Sequence, residues 1–489
     1  MTPLLGLVIL YLLGTLAIGL MAARKVKTST DFALAGRSLP LIMIITTTFA
    51  TWFGSETVLG ISAKFVQGGL NAVVEDPFGA SLCLIFVGIF FAAKLYRMNL
   101  MTIGDFYRAR YGKVVEIFCS TAIVFSYLGW VAAQVTALGI VFNLVSNGAI
   151  SVEVGMIIGT VSILLYVIFG GMLAIAWTDF IQMIVLVLGL SFIAFLANDM
   201  AGGFGKVWAL SEKNDWRRMM PEAKTKDVLF FIAAAITMML GSIPQQDIFQ
   251  RVMSAKDAKT ASRGAIIGGL CYFAFAFVPM FIVACAVLIM PEKTAELLKD
   301  DPQKILPILI LEKMPFIAQV IFFGALLSAI KSTASATLLA PSTSFVENIY
   351  RHFRPHMTDK QALFAFRITL FIFTCLVLIY AMAARGKPIY EMVSSAYQVT
   401  LVGALVPLVC GLYWERATKY GAIASILMGI CTWLLLLATP YGEAFPPQLG
   451  GVLAAIVGMV AGSLLSKPHP HYAHPQAGEH HDLHRTRAA

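Results

Sequence analysis

Ala329-Ile330-Lys331-Ser332-Thr333-Ala334-Ser335 lies inside a strongly apolar stretch of this 489-residue chain. At about 100° per residue, Ala329, Ser332 and Thr333 share one helix face. Two hydroxyls and a carbonyl there are the hard oxygen donors that a sodium ion prefers. Small Ser, Thr and Ala residues also let helices pack closely, so the run alone leaves both readings open. The partner oxygens would come from two interrupted apolar stretches. One reads Thr46-Thr47-Thr48-Phe49-Ala50-Thr51-Trp52-Phe53-Gly54-Ser55-Glu56-Thr57, the other Gly241-Ser242-Ile243-Pro244-Gln245-Gln246-Asp247. A membrane-spanning helix can break only where the freed backbone lines a cavity or a site. Paired breaks of this kind point to a secondary transporter with its site between them.

Two charges stand near these features. Lys331 interrupts the hydroxyl run and Glu56 follows the first break. An ionisable residue at membrane depth needs a partner, and these two are the natural pair. Lys331 lies roughly 200° from Ala329 and about 100° from Ser332, on the face of Ser328 and Ser335, behind the presumed ion face. Three roles stay open: a structural Glu56–Lys331 link, a lysine that stands in for or beside sodium in proton coupling, and a Glu56 that selects a cationic or zwitterionic amine. A solute pocket between the breaks would draw on Trp52, Ser55, Glu56, Gln134, Gln245 and Tyr397. Trp52 beside a carboxylate suits an ammonium group through cation–π attraction; packing or lipid-facing bulk is the plainer alternative.

The elements that must position these residues follow from composition. The chain is 58% hydrophobic and 13% charged, with mean hydropathy +0.80. A soluble domain carries about twice that share of charge, so an all-α polytopic membrane protein is expected. About 13 spans of near 20 apolar residues can be drawn: 3–22, 40–67, 74–95, 114–145, 151–172, 176–199, 227–250, 261–291, 315–350, 362–384, 388–413, 418–438 and 447–466. The first is nearly uncharged and long enough to span, so it reads as retained rather than as a cleaved signal. Spans 2–6 and 7–11, five each, have opposite orientations, which predicts an inverted repeat with one extra N-terminal and two extra C-terminal helices. The corresponding segments are 1–39, a first repeat at 40–199, an outer loop at 200–226, a second repeat at 227–413, appended helices at 414–466 and a His-rich tail at 467–489, expected to be disordered and cytoplasmic. Residues 291–315 read as an amphipathic outer loop with a short helix.

The net charge of +9 does not signal nucleic acid. Arg24, Lys25, Lys27 and Arg37 follow span 1; Arg108, Arg110 and Lys113 follow span 3; Arg351, Arg354 and Lys360 follow span 9. Such alternation places those loops in the cytoplasm, the N-terminus outside and the C-terminus inside a plasma (bacterial inner) membrane. Arg217 and Arg218 dissent, in a loop long enough to escape the rule. The seven cysteines lie in or beside apolar spans without metal-ligand spacing. No histidine falls inside a span, which excludes an intramembrane histidine relay, and no Walker-type loop for ATP is present.

Four further stretches carry a resemblance: Tyr166–Gln182 (YVIFGGMLAIAWTDFIQ), Ile243–Lys256 (IPQQDIFQRVMSAK), Ser332-Thr333 through Glu347-Asn348-Ile349-Tyr350, and Pro407–Arg416 (PLVCGLYWER). In order and spacing they are similar to the solute:sodium symporter family, which includes proline, glucose, pantothenate and choline carriers. Ala50–Gly54 and Phe249–Ser254 most resemble its choline branch. The resemblance implies a leucine-transporter-type core and a sodium site built from the carbonyls of Ala50, Phe53 and Ala329 with the side chains of Ser332 and Thr333. Asp179 matches an acidic family position on the ion exit path, although a solvated helix N-cap would look the same. Two departures stand out. Lys331 replaces a usually neutral residue, and Gln245 stands where choline carriers have tryptophan, which argues against a complete aromatic cage.

The expected activity is therefore not enzymatic. An ion-coupled symporter would import a small polar organic solute, an amine or amino acid, by alternating access. Sodium is the expected coupling ion, with protons acting at Lys331 and Glu56 as the alternative, and no organic cofactor. Solute and membrane lipid are the expected partners, in a monomer or weak homo-oligomer. The rival reading is a transporter-like sensor serving a separate kinase. A channel fits poorly, because the midplane charges form no ring or filter.

Overall fold

The computed structural model describes residues 2–467, and every regular element in it is helical. The tail histidines, among them His469, His471, His480 and His481, lie outside the described residues. Among those described, nine helices are long and apolar enough to cross a membrane, and three bent pairs raise the number to as many as 12. One of the nine, Val152–Met200, has 49 residues. Straight, it would measure about 74 Å, more than twice the hydrocarbon thickness of roughly 30 Å. It departs from helical geometry at Gly171, where φ is 48° and ψ −143°. Dividing it there yields the thirteenth span and agrees with the hydropathy reading.

The spans are numbered as follows: 1, Pro3–Ala23; 2, Leu41–Trp52 with Glu56–Gly68; 3, Leu70–Arg97; 4, Lys113–Val145; 5 and 6, residues 152–170 and 172–200; 7, Thr225–Gly241 with Gln246–Ser254; 8, Ala258–Ile289; 9, Phe316–Asn348; 10, Asp359–Ala383; 11, Ile389–Gly403 with Leu405–Tyr413; 12, Lys419–Ala438; 13, Pro447–Leu465. Helices Pro291–Asp300 and Ile305–Lys313 occupy the loop where a short helix is expected.

Local chemistry explains each interruption. Span 2 bends by 53° after Trp52, where Phe53 leaves the helix at φ −89°, ψ 72° and Gly54 follows. Span 7 bends by 41° around Pro244, which has no N–H to donate, and Gln245 there is extended at φ −72°, ψ 138°. Gly171 permits the turn between spans 5 and 6 in two ways. Its positive φ suits glycine, and a Cβ there would overlap the Phe32 carbonyl oxygen.

Span 9 is the central post. From Ala325 to Ser344 it is buried throughout, packed against spans 4, 5, 6 and 10. Span 2 packs on spans 6, 8 and 9, and span 1 covers spans 5, 6 and 9. Large apolar side chains such as Leu10, Phe125 and Phe195 are exposed, while Tyr127, Trp130 and Arg251 are buried. That inversion is what a lipid solvent favours: polar groups go inside because the surrounding hydrocarbon cannot satisfy them.

Candidate ion and solute site

The unwound end of span 2 meets span 9. Thr333 Oγ1 donates to the Ala50 carbonyl over 3.5 Å. Gly54 fits so closely that an added Cβ would overlap Thr333 Oγ1 and Glu56 Oε2. Ala329 lies one turn before Thr333 and is fully buried. Ser332 Oγ donates to Asp179 Oδ1 over 2.6 Å, and Thr47 Oγ1 donates to Asp179 Oδ2 over 2.5 Å. Three elements, spans 2, 6 and 9, thus bring hydroxyls, the Ala50 carbonyl and a carboxylate together in the buried interior. Asp179 is not a solvated cap: it is fully buried inside the helix and touches one of the two hydroxyls expected to bind the ion.

On the other side of the break lies a second constellation. Glu56 accepts from Trp130 Nε1 at 2.9 Å and from Gln134 Nε2 at 2.6 Å. Gln134 Oε1 in turn accepts from the Ser55 backbone N–H at 3.0 Å, which satisfies a donor freed by the unwinding. The Ser55 hydroxyl is buried without a partner. Trp52 stacks on Tyr397 with ring centroids 5.9 Å apart and meets Trp130 edge-on at 6.0 Å. Tyr127 stacks on Trp130 at 6.0 Å, and Trp130 lies 5.1 Å from Tyr397. Four rings therefore pack on one another here, and Trp130 ties the cluster to Glu56. Trp52 Nε1 donates to Asp247 Oδ2 at 3.2 Å, and Tyr127 donates to Asp247 Oδ1 at 2.5 Å. Arg251 closes the group through the Asp247 carbonyl and Thr51 Oγ1, both at 3.0 Å.

The structure corrects one expectation. Lys331 and Glu56 do not pair. Lys331 Nζ donates to Thr15 Oγ1 of span 1 at 2.6 Å and lies 5.4 Å from the Tyr166 ring centroid, whereas Glu56 is satisfied by Trp130 and Gln134. The two side chains leave opposite sides of the span 2–span 9 contact, as the helical-wheel position of Lys331 implied. Gln245 is held by Ser126 and Thr400, at 3.1 and 3.2 Å, and Trp130 and Tyr127 of span 4 add two rings to Trp52 and Tyr397. Sequence reasoning missed Trp130 and Tyr127, although they stand four and seven residues before Gln134, on its helix face. Asp247 was visible in the second break and was not assigned a role.

A family profile described as the sodium:solute symporter family matches residues 32–429. This chain belongs to that family. It is an integral membrane transporter, not an enzyme, and the family couples solute movement to sodium. The human high affinity choline transporter 1 is 28% identical over 445 residues, covering 87% of this chain and 75% of that protein. The sodium/pantothenate symporter of Escherichia coli is 27% identical, covering 92% and 94%. The high-affinity proline transporter of Bacillus subtilis is 25% identical, covering 92% and 96%. Among solved structures, a substrate-bound, outward-open Na+-coupled sialic acid symporter superposes with TM-score 0.80 at 19% identity, over 95% of this chain and 98% of that one. A closed nucleobase-cation-symport-1 family transporter gives 0.61 at 15% identity, over 88% and 93%. The fold is thus common to chains of very different sequence.

Proposed function

We propose that this symporter uses sodium to import a small organic solute bearing a quaternary or protonated amine. One observation carries the reading: the Glu56 carboxylate is buried at the break in span 2 against the Trp130 indole, which clusters with the rings of Trp52, Tyr127 and Tyr397. Ring faces and a buried carboxylate attract a cationic nitrogen and give nothing comparable to an anion. The choline carriers among its relatives support the same class.

Sodium in this proposal sits between the Ala50, Phe53 and Ala329 carbonyls and the Ser332 and Thr333 hydroxyls, with Asp179 contributing charge. Ion binding there fixes the unwound segment of span 2, and Gly54 and Ser55 carry that order directly into the solute pocket. With the N-terminus outside and the C-terminus cytoplasmic, release toward a negative, low-sodium interior is favoured by about 2.3 kcal/mol per charge at 100 mV. Rocking of the broken spans against the scaffold then alternates access. The repeats at 40–199 and 227–413 supply the two halves.

Reconstitution into liposomes with choline, proline, pantothenate and a carboxylate, each under separate sodium and pH gradients, tests the reading. Sodium-stimulated uptake confined to cationic or zwitterionic amines is expected. Uptake of the carboxylate alone contradicts it.

A further inference from the structure

A chain of hydrogen bonds runs from span 3 to the break in span 2. Asp76 Oδ1 lies 2.6 Å from the Tyr272 hydroxyl of span 8. Tyr272 OH lies 2.9 Å from Thr57 Oγ1, and Thr57 Oγ1 lies 3.2 Å from the Trp52 carbonyl oxygen. All four residues are buried.

Counting hydrogens decides the protonation of this chain. Three bonds need three hydrogens, and each hydroxyl has one to give. The Trp52 carbonyl only accepts. If Asp76 were ionised, Tyr272 and Thr57 would supply two hydrogens for three contacts, leaving one oxygen pair facing each other without a proton. A neutral Asp76 supplies the third. The chain then has one consistent direction, Asp76 to Tyr272 to Thr57 to the Trp52 carbonyl.

The surroundings agree. Asp76 Oδ2 is buried and receives no hydrogen bond, a costly position for half of a carboxylate charge but a tolerable one for the carbonyl oxygen of an acid. The groups facing it are Glu56 from span 2, its neighbour Glu75, Tyr272 from span 8, and Tyr390 and Tyr397 from span 11. Span 7 presents Met238. Lys64 is bound to Glu391 at 3.2 Å, and among the described residues no cationic side chain is placed against Asp76.

The geometry points to Asp76 as a proton-binding site whose occupancy sets the hydrogen bond that Thr57 gives to the broken segment of span 2. A proton taken from water at Asp76 completes the relay; its loss leaves Thr57 a single hydrogen to divide between Tyr272 and the Trp52 carbonyl. Only the consequence for uptake rests on the transporter reading, because the proton itself can be observed without transport.

Infrared spectroscopy of the purified full chain in lipid nanodiscs at neutral pH is the test. Wild type should show a protonated-carboxyl C=O stretch that is lost in Asp76→Asn, retained in Glu75→Gln and removed by alkaline titration. Tyr272→Phe, which deletes the acceptor and keeps the ring, should move that band to higher frequency as its hydrogen bond is lost. Absence of the band in wild type, its persistence in Asp76→Asn, or an unmoved band in Tyr272→Phe overturns the assignment. Sodium-driven choline uptake measured across pH should lose its pH dependence in Asp76→Asn. A retained dependence would remove the link to transport, and absence of choline uptake in wild type would count against the proposed solute without touching the infrared result.

Discussion

Glu56→Gln is the most informative single change at the solute site. The carboxylate accepts from Trp130 Nε1 at 2.9 Å and from Gln134 Nε2 at 2.6 Å. An amide at position 56 has only one oxygen, so its NH2 must face one of those donors. The cheapest relief is a flip of the Gln134 amide, which removes the acceptor of the Ser55 N–H, now bonded at 3.0 Å. Leaving that buried donor unpaired costs about 1–3 kcal/mol of stability. Cation affinity carries a separate penalty: a unit charge about 5 Å from an ammonium contributes roughly 3 kcal/mol at an effective dielectric constant near 20, or about 100-fold in Kd. The two effects separate in the assay. Choline and its uncharged isostere 3,3-dimethyl-1-butanol are titrated against the intrinsic tryptophan fluorescence, with thermal unfolding recorded in parallel. The variant should lose choline affinity by about 100-fold and affinity for the isostere by less than 3-fold, with a lowered Tm. Equal losses for the two ligands would show that Glu56 shapes the pocket without reading charge.

Two further outcomes follow from the same contacts. Lys331→Met should keep sodium stimulation and leave Tm unchanged or raised, because it replaces a buried charge by an apolar chain of similar length while Thr15 keeps its bond to the Leu12 carbonyl at 3.0 Å; loss of sodium stimulation would put Lys331 back in the coupling machinery. Gly54→Ala should abolish sodium-dependent uptake at normal membrane insertion, since the new methyl would overlap Thr333 Oγ1 and Glu56 Oε2; substantial residual uptake would mean that this close approach is not needed for function.

Much of the architecture was legible because hydropathy and helix breaking are local properties. The thirteen apolar stretches and the weak points at Phe53-Gly54 and Pro244 need no tertiary knowledge. Nor does the shared face of Ala329, Ser332 and Thr333. Contacts that depend on helix rotation were harder to read. Glu56 and Lys331 looked like partners because both are charges at similar depth, yet one turns to span 4 and the other to span 1. Asp179 read equally well as an ion-path acid or as a solvated cap, because sequence gives no burial at a helix start. Tyr127 and Trp130 could have been found from their positions seven and four residues before Gln134, on the same helix face. Asp76 and Tyr272 could not, since 196 positions separate them and only the packing of span 8 on the break brings them together.

Sodium coupling as proposed depends on one joint, where the Ala50 carbonyl of span 2 meets the Thr333 hydroxyl of span 9 at 3.5 Å. Binding of radiolabelled sodium to the purified protein addresses it directly, in wild type, in Ser332→Ala with Thr333→Ala, and in Thr337→Ala, whose hydroxyl bonds only its own helix backbone, at 2.7 and 3.3 Å. Binding should fall to background in the double variant and stay at the wild-type level in Thr337→Ala. Wild-type binding in the double variant would place the ion elsewhere and contradict the account.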